Sequence, residues 1–178
     1  MPRYFAFLRA INVDKRMVRM DALRDLFAGL GFSEVETFIN SGNVIFRCPS
    51  RKPAALEARI AGHLESELGY PVATFLRSDA ELAAIHAYRP FAEEEIRAAG
   101  ACCAGFLAQP LGAAQQEALA GLQTDIDFFH SSGRELYWLC RKTQSQSGIT
   151  NGLLERKLKT SLTFRNLTTV SKLAAKYL

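Results

Sequence analysis

The order of strand-like and helix-like segments constrains the fold of this chain more than any other feature of its sequence. Residues 3–12 alternate in a way that predicts a strand, and apolar residues at helical spacing predict a helix over residues 21–30. A hairpin around residues 40–43, a helix over residues 53–68 and a strand over residues 72–76 follow. The first half therefore has the order β-α-β-β-α-β, which is the split βαβ or ferredoxin-like unit.

The second half repeats this order. It contains predicted strands at residues 102–108, 124–130, 135–141 and 163–165, and predicted helices at 111–122 and 151–159. One further helix closes each half, over residues 79–87 and 168–177. The sequence predicts an α+β protein of two βαββαβ (ferredoxin-like) repeats, each followed by an extra helix and closely associated with the other.

The two repeats define the expected domains. We place the first repeat and its helix in residues 1–88, an acidic linker in 89–100, and the second repeat with the C-terminal helix in 101–178. Apolar residues make up 48% of the 178 residues and charged residues 22%, which is the balance of a globular protein and excludes a mainly disordered chain.

Several classes of protein and site are disfavoured by what the sequence lacks. No run approaches the roughly 18–20 apolar residues that a membrane helix needs, and the N-terminus resembles a strand, so we expect a cytoplasmic protein without a membrane partner. The cysteines form no C-x-x-C pair and the histidines show no ligand spacing, so we predict no metal and no cofactor. Cys102 and Cys103 are adjacent on a strand and point to opposite faces, so we expect at most one to be fully buried.

The distribution of charge is uneven along the chain. The net charge is +4, yet residues 134–178 hold nine Lys and Arg against only Glu135 and Glu155, while residues 53–100 hold four against eight acidic residues. Such asymmetry is compatible with a basic face for phosphates, nucleic acid or another polyanion. A solvated surface that is merely basic is the alternative.

The first candidate site lies at the end of the first strand and comprises Arg9, Asn12, Lys15 and Arg16. An arginine within an alternating apolar strand must be paired or must reach solvent. Its planar guanidinium suits bidentate binding of phosphate or carboxylate. A structural ion pair, for example with Glu36, is the alternative.

The second candidate site is the turn at residues 40–43, where Ser41 and Asn43 offer neutral hydrogen-bonding groups. The alternative is a hairpin turn whose Asn and Gly residues serve only the backbone geometry.

The third candidate site is Arg165 with Asn166. Asn166 is placed to cap the closing helix, whose free N–H groups could hold an anion, and Lys172 extends a basic stripe along that helix. The alternative is a cap followed by a solvated helix face.

Three stretches together resemble the bacterial family called domain of unknown function 1697. They are Leu8-Arg9-Ala10-Ile11-Asn12-Val13, the ten residues Thr37 to Phe46, and Arg165-Asn166-Leu167 with the residues up to Leu173. The resemblance covers nearly the whole chain and implies a bacterial α/β protein of the cytoplasm without an established activity. The chain has Ala10 and Asp14-Lys15 where the family usually has glycines, and Leu167 where it usually has tryptophan. A glycine cradle and a stacking aromatic are therefore not carried over.

No catalytic motif is found. The sequence has no G-x-S-x-G motif and no glycine-rich phosphate loop, and we interpret Asp125 and Asp127 as two exposed strand carboxylates rather than an acid–base pair. The favoured function is a binding module for an anionic ligand, with nucleic acid or a nucleotide-like phosphate compound as its partner. The alternatives are a small enzyme that acts on a phosphorylated or carboxylated metabolite in the groove between the repeats, or a dimeric structural or interaction protein.

Overall fold

The computed structural model describes residues 1–12, 15–39 and 42–178. The chain divides into two compact units, Met1–Ala83 and Ala84–Leu178. Among the described residues, no helix has both the length and the apolar character required to cross a membrane.

The first unit has the predicted βαββαβ order. Its elements are β1 (Arg3–Leu8), α1 (Met20–Gly29), β2 (Ser33–Thr37), β3 (Asn43–Arg47), α2 (Pro53–Leu68) and β4 (Thr74–Ser78), and α3 (Asp79–Ala87) begins directly after β4. The sheet order is β2-β3-β1-β4 and all neighbours are antiparallel, so Phe5 lies opposite Ile45 on one side and Arg77 on the other. This is the arrangement of a ferredoxin-like unit.

The second unit repeats this topology. Its elements are α4 (Glu93–Ala98), β5 (Ala101–Leu107), α5 (Ala113–Ala120), β6 (Asp127–Ser132), β7 (Glu135–Cys140), α6 (Asn151–Leu158), β8 (Leu162–Asn166) and α7 (Leu167–Tyr177). The sheet order is β6-β7-β5-β8, which corresponds strand by strand to the first sheet. The predicted α+β fold with two repeated units is confirmed. The stretch 89–100 contains α4, which the sequence analysis did not anticipate.

The core of the first unit forms between one face of its sheet and helices α1 and α2. Alternation along β1 places Tyr4, Ala6 and Leu8 on this face. They pack in one cluster with apolar residues at helical spacing, Leu23 and Phe27 of α1 and Leu56, Ile60 and Leu64 of α2. Pro53 begins α2 and Gly69 ends it in the left-handed conformation, so the helix has the bounds that the sequence predicts.

The core of the second unit is built in the same way, with Leu107, Trp138, Leu154 and Leu158 among its buried residues. Helix α7 also contacts β5 and β8, and its buried Val170 does not belong to that cluster.

Cys102 and Cys103 are both buried, with only 6% and 4% of their surfaces exposed, so the expectation that at most one would be fully buried is wrong. The prediction considered an isolated strand with one open face. Within this unit β5 contacts α7 in addition to its neighbouring strands, and residues on both of its faces are removed from water.

Candidate functional site

The first strand ends earlier than the alternation predicts. β1 stops at Leu8, and Ala10 has a left-handed backbone with φ of 55°. The backbone N–H of Arg9 donates to the carbonyl of Ala73 at 2.9 Å, and the residue is half-buried. Arg9 therefore lies in the segment that leaves the sheet, not on a face of the strand.

The turn between β2 and β3 packs against this segment. The Leu8 N–H donates to the carbonyl of Gly42 at 2.9 Å. Gly42 has φ of +71°, and a Cβ atom there would lie only 2.8 Å from Cγ2 of Ile11. Glycine is thus required both for conformation and for space. At this end of the sheet, Gly42 of the predicted turn therefore packs against Leu8 and Ile11, on either side of Arg9 in the chain.

Asn43 has a structural role in this turn. It is buried, and its Nδ2 donates to the carbonyl of Phe38 at 2.9 Å, while the Phe38 N–H donates back to the Asn43 carbonyl at 3.0 Å. Ser41, the other residue expected in this site, lies outside the described residues.

Backbone strain is found beside the turn. Ile39 has φ of 58°, and its side chain is 49% exposed. A β-branched residue rarely adopts this conformation, which costs on the order of 1–3 kcal/mol. The exposed side chain contributes little packing to offset that cost. Strain of this kind is concentrated at functional segments of proteins.

The other predicted residues of the first site differ in their surroundings. Asn12 Oδ1 accepts a hydrogen bond from the Val18 N–H at 2.8 Å, which ties together the two ends of the connection between β1 and α1. The Arg16 guanidinium lies 4.5 Å from the ring centroid of Tyr70, and Lys15 is exposed. Asn12 therefore holds the backbone, while the two cations remain at the surface.

A shallow depression of about 610 Å³ adjoins these residues. Its lining is Asn12, Met17, Val18, Arg19, Met20, Asp21 and Arg24. Arg19 Nη2 lies 2.9 Å from Asp21 Oδ2, and the Arg24 guanidinium donates to Thr37 Oγ1 at 2.9 Å. The Ala22 N–H and the Arg19 guanidinium lower the pKa of the Asp21 carboxyl. Sequence reasoning missed Arg19 and Arg24, although the repeated basic residues after Lys15 were a visible signal.

Arg165 and Asn166 lie in the second unit. Arg165 is only 7% exposed, and its Nη1 donates to Thr163 Oγ1 at 2.8 Å and to the Phe164 carbonyl at 2.9 Å. Burial lowers the pKa of this guanidinium to about 10. Asn166 occupies the position before α7 and is exposed, but its side chain makes no capping hydrogen bond.

A matching arginine occupies the first unit. Arg77 of β4 is fully buried, and its Nη1 donates to the carbonyl of the preceding Leu76 at 2.7 Å. Arg165 makes the same bond to Phe164 on β8, the corresponding strand of the second sheet. Each arginine is thus anchored to its own strand at an equivalent position of the repeat, a correspondence that the sequence analysis did not use.

Asp127 is not the exposed carboxylate that the sequence suggested. It is 1% exposed and accepts hydrogen bonds from Trp138 Nε1 at 2.9 Å and Thr124 Oγ1 at 3.0 Å, and Ser147 Oγ lies 2.8 Å from Oδ1. The carboxylate thereby fixes the segment around Ser147 to β6. Over the described ranges, no three His, Cys, Asp or Glu residues are grouped as metal ligands.

Comparison with known proteins agrees with this architecture. A solved structure described as a conserved bacterial protein from Streptococcus pneumoniae is similar, with a TM-score of 0.75 and 25% sequence identity over 99% of this chain and 98% of that one. No curated protein matches. The model of the family described as protein of unknown function (DUF1697) matches residues 1–137. The chain therefore belongs to the DUF1697 family.

Proposed function

We propose that this protein binds a phosphate-bearing polyanion, and specifically nucleic acid, at the surface between β1 and α1 of the first unit. The observation that carries this proposal is the group of exposed cations Lys15, Arg16 and Arg19 beside the open depression. Exposed cations along a connecting segment suit an extended chain of phosphates, because each can neutralise a separate phosphate and release its counterions.

Two apolar side chains of the first unit are exposed. Met17 is 82% exposed and lines the depression, and Ile39 is 49% exposed in the strained turn. Arg24 of α1 is bonded to Thr37, two residues before Ile39. Unpaired bases offer flat apolar faces that such side chains can contact, whereas a duplex presents mainly phosphates. This mixture favours single strands.

The remaining candidate residues contribute to the proposed surface in different ways. Asn12 stabilises the backbone of the segment that carries the cations, and Asn43 stabilises the turn between β2 and β3. Arg9 borders the surface and stays a predicted phosphate contact. Arg165 and Asn166 belong to the second unit and are not needed for this surface, so their role in binding stays a prediction.

The test is fluorescence anisotropy with labelled single- and double-stranded RNA and DNA at several salt concentrations. Non-specific binding at physiological salt has a Kd of about 10⁻⁴–10⁻⁶ M, so a preference for one class of strand is the result that supports the proposal. The double variant Lys15→Ala/Arg16→Ala should lower the slope of log affinity against log salt by about 1.4 for single strands, since each lost phosphate contact contributes about 0.7.

The matched control is Arg51→Ala/Lys52→Ala, which removes the same charge from exposed positions before α2. It should leave the salt slope nearly unchanged. Equal losses for both double variants would show a general charge effect and would overturn the site. A titration with ATP distinguishes a mononucleotide ligand from a polymer. A Kd for ATP as low as that for an oligonucleotide would contradict the proposal of a polymer.

A further inference from the structure

A second cavity lies entirely within the second unit, between the part of α3 that follows Ala83, helix α4 and the start of α7. It has a volume of about 450 Å³, within the range of small-molecule pockets. Its lining is Ile85, His86, Tyr88, Arg89, Glu93, Ile96, Arg97, Leu167, Thr168, Val170, Ser171 and Lys172. This cavity is about half enclosed, more so than the depression in the first unit, and apolar atoms make up most of its lining surface.

One wall of the cavity is held in place before any ligand arrives. The Tyr88 hydroxyl and His130 Nε2 lie 2.6 Å apart in a hydrogen bond, and the Tyr88 ring packs on Tyr137 with 5.2 Å between ring centroids. Ile85 and Val170 are buried and supply the floor. A fixed wall lowers the entropy that a ligand would otherwise lose in ordering the site.

The polar part of the lining is positively charged. The lining contains three cationic side chains, Arg89, Arg97 and Lys172, and one carboxylate, Glu93. Glu93 Oε1 lies 2.9 Å from Arg97 Nη2. The Arg89 guanidinium donates to the carbonyls of His86 and Tyr88. Within the described part of the chain, the Lys172 ammonium makes no hydrogen bond and no ion pair. Lys172 is therefore available to an anionic ligand.

The first residues of α7 also line this cavity. Leu167 and Thr168 line the cavity, and the Asn166 side chain makes no capping hydrogen bond to the helix. The first N–H groups of a helix lack partners within the helix and favour negative charge. Lys172 follows Thr168 by four residues, so both lie on one face of α7. Thr168 and Lys172 thus add polar groups from one helix face to a cavity whose lining surface is mainly apolar.

We propose that this cavity binds a small organic anion with an apolar body. A phosphate or carboxylate group would be held by Lys172 and the start of α7, while an aromatic or branched aliphatic body would pack on Ile85, Ile96 and the Tyr88 ring. The site is independent of the nucleic-acid surface, because it uses other residues, belongs to the second unit and recognises a compact molecule.

The first test uses phenyl phosphate as the probe, with phenol and inorganic phosphate as its two halves. Backbone amide chemical shifts of the full-length protein are followed by NMR during each titration. We expect saturating shifts at Ile96, Thr168 and Lys172 with phenyl phosphate. Each half should bind at least about tenfold more weakly, because each uses only one part of the cavity. Phenylacetate tests whether a carboxylate replaces the phosphate.

Variants then localise the binding. Lys172→Ala should weaken phenyl phosphate about tenfold, since it removes a charge-assisted hydrogen bond. Lys176→Ala removes the same charge one turn further along α7, outside the cavity lining, and should leave the affinity within about twofold. Ser171→Trp fills the cavity from an exposed position without changing charge and should abolish saturation.

Three outcomes would overturn this proposal. The first is inorganic phosphate binding as tightly as phenyl phosphate, which would mean that the apolar wall contributes nothing. The second is the absence of saturation by phenyl phosphate up to its solubility limit. The third is equal weakening by Lys172→Ala and Lys176→Ala. The comparison of probes needs only the wild-type protein, so it decides the question even where a variant fails to fold. Nucleic-acid titrations have no bearing on any of these results.

Discussion

Removal of the Asp127 carboxylate should be among the most destabilising polar substitutions in this protein. Asp127→Ala leaves the single indole N–H of Trp138 without its acceptor, and Trp138 is itself buried. An unsatisfied buried donor costs about 1–3 kcal/mol. Thr124 and Ser147 also lose an acceptor, but they reach water, so each adds only about 0.5–1 kcal/mol. The structure thus predicts a loss of about 3 kcal/mol.

The assay is urea unfolding of purified protein followed by circular dichroism. Typical domains have a free energy of unfolding of about 5–15 kcal/mol, so a loss of this size moves the midpoint clearly. The chain has one tryptophan, and its fluorescence gives a second probe of the region around Asp127. Asp127→Asn keeps the volume and one oxygen acceptor, and it should therefore cost less than the alanine variant.

Asp125→Ala is the matched control. Asp125 is exposed and only two residues away, and its substitution should change stability by less than about 0.5 kcal/mol. A free energy of unfolding for Asp127→Ala within about 0.5 kcal/mol of wild type would refute the reasoning, because the hydrogen bonds would then contribute nothing net. Equal losses at both positions would refute it as well.

Two further predictions concern packing and pH. Gly105→Ala should lower the free energy of unfolding in urea by about 1–3 kcal/mol, because its Cβ would lie 2.7 Å from Cε1 of Phe164. Gly62→Ala in α2 has no atom within 4 Å of its new Cβ and should raise that free energy by about 0.5–1 kcal/mol. A change of the same sign for both variants would contradict this. Burial raises the pKa of the Cys102 thiol to about 12 and that of Cys103 to about 11, from 9.0. The thiols of the unfolded chain ionise at lower pH than the buried ones, so the free energy of unfolding should fall as the pH rises from about 9 towards 11. Cys102→Ala should reduce the slope of the free energy of unfolding against pH, and an unchanged slope would count against the burial argument.

The element order of the fold could be predicted because it is written in local patterns. Alternation and helical spacing are set by which side chains must leave water, and both repeats contain them in the same order. Helix α2 was predicted with its observed ends, since Pro53 and Gly69 act on the backbone locally. Helix α4 was missed because its six residues, Glu93–Ala98, include no buried side chain and hence no apolar pattern.

The sequence gives the residue types of the candidate positions, and the structure shows which of them are exposed and which are buried. Lys15 and Arg16 are exposed, as a phosphate-binding role requires, and the turn at Gly42 was correctly placed between strands. Asn43 and Arg165 are buried and hydrogen-bonded to nearby backbone. A sequence pattern gives the type of side chain, but burial depends on which elements pack together.

The sequence by itself determined the two βαββαβ repeats, the ends of several helices and the basic character of the segment after β1, because these depend on periodicity, turn chemistry and charge. Only the tertiary structure decided that Asp127 is a buried anchor and that Lys172 and Tyr88 line one cavity. Lys172 and Tyr88 are 84 positions apart in the chain. Both line one cavity because residues from the end of α3, from α4 and from α7 surround it, and no local pattern records such long-range proximity.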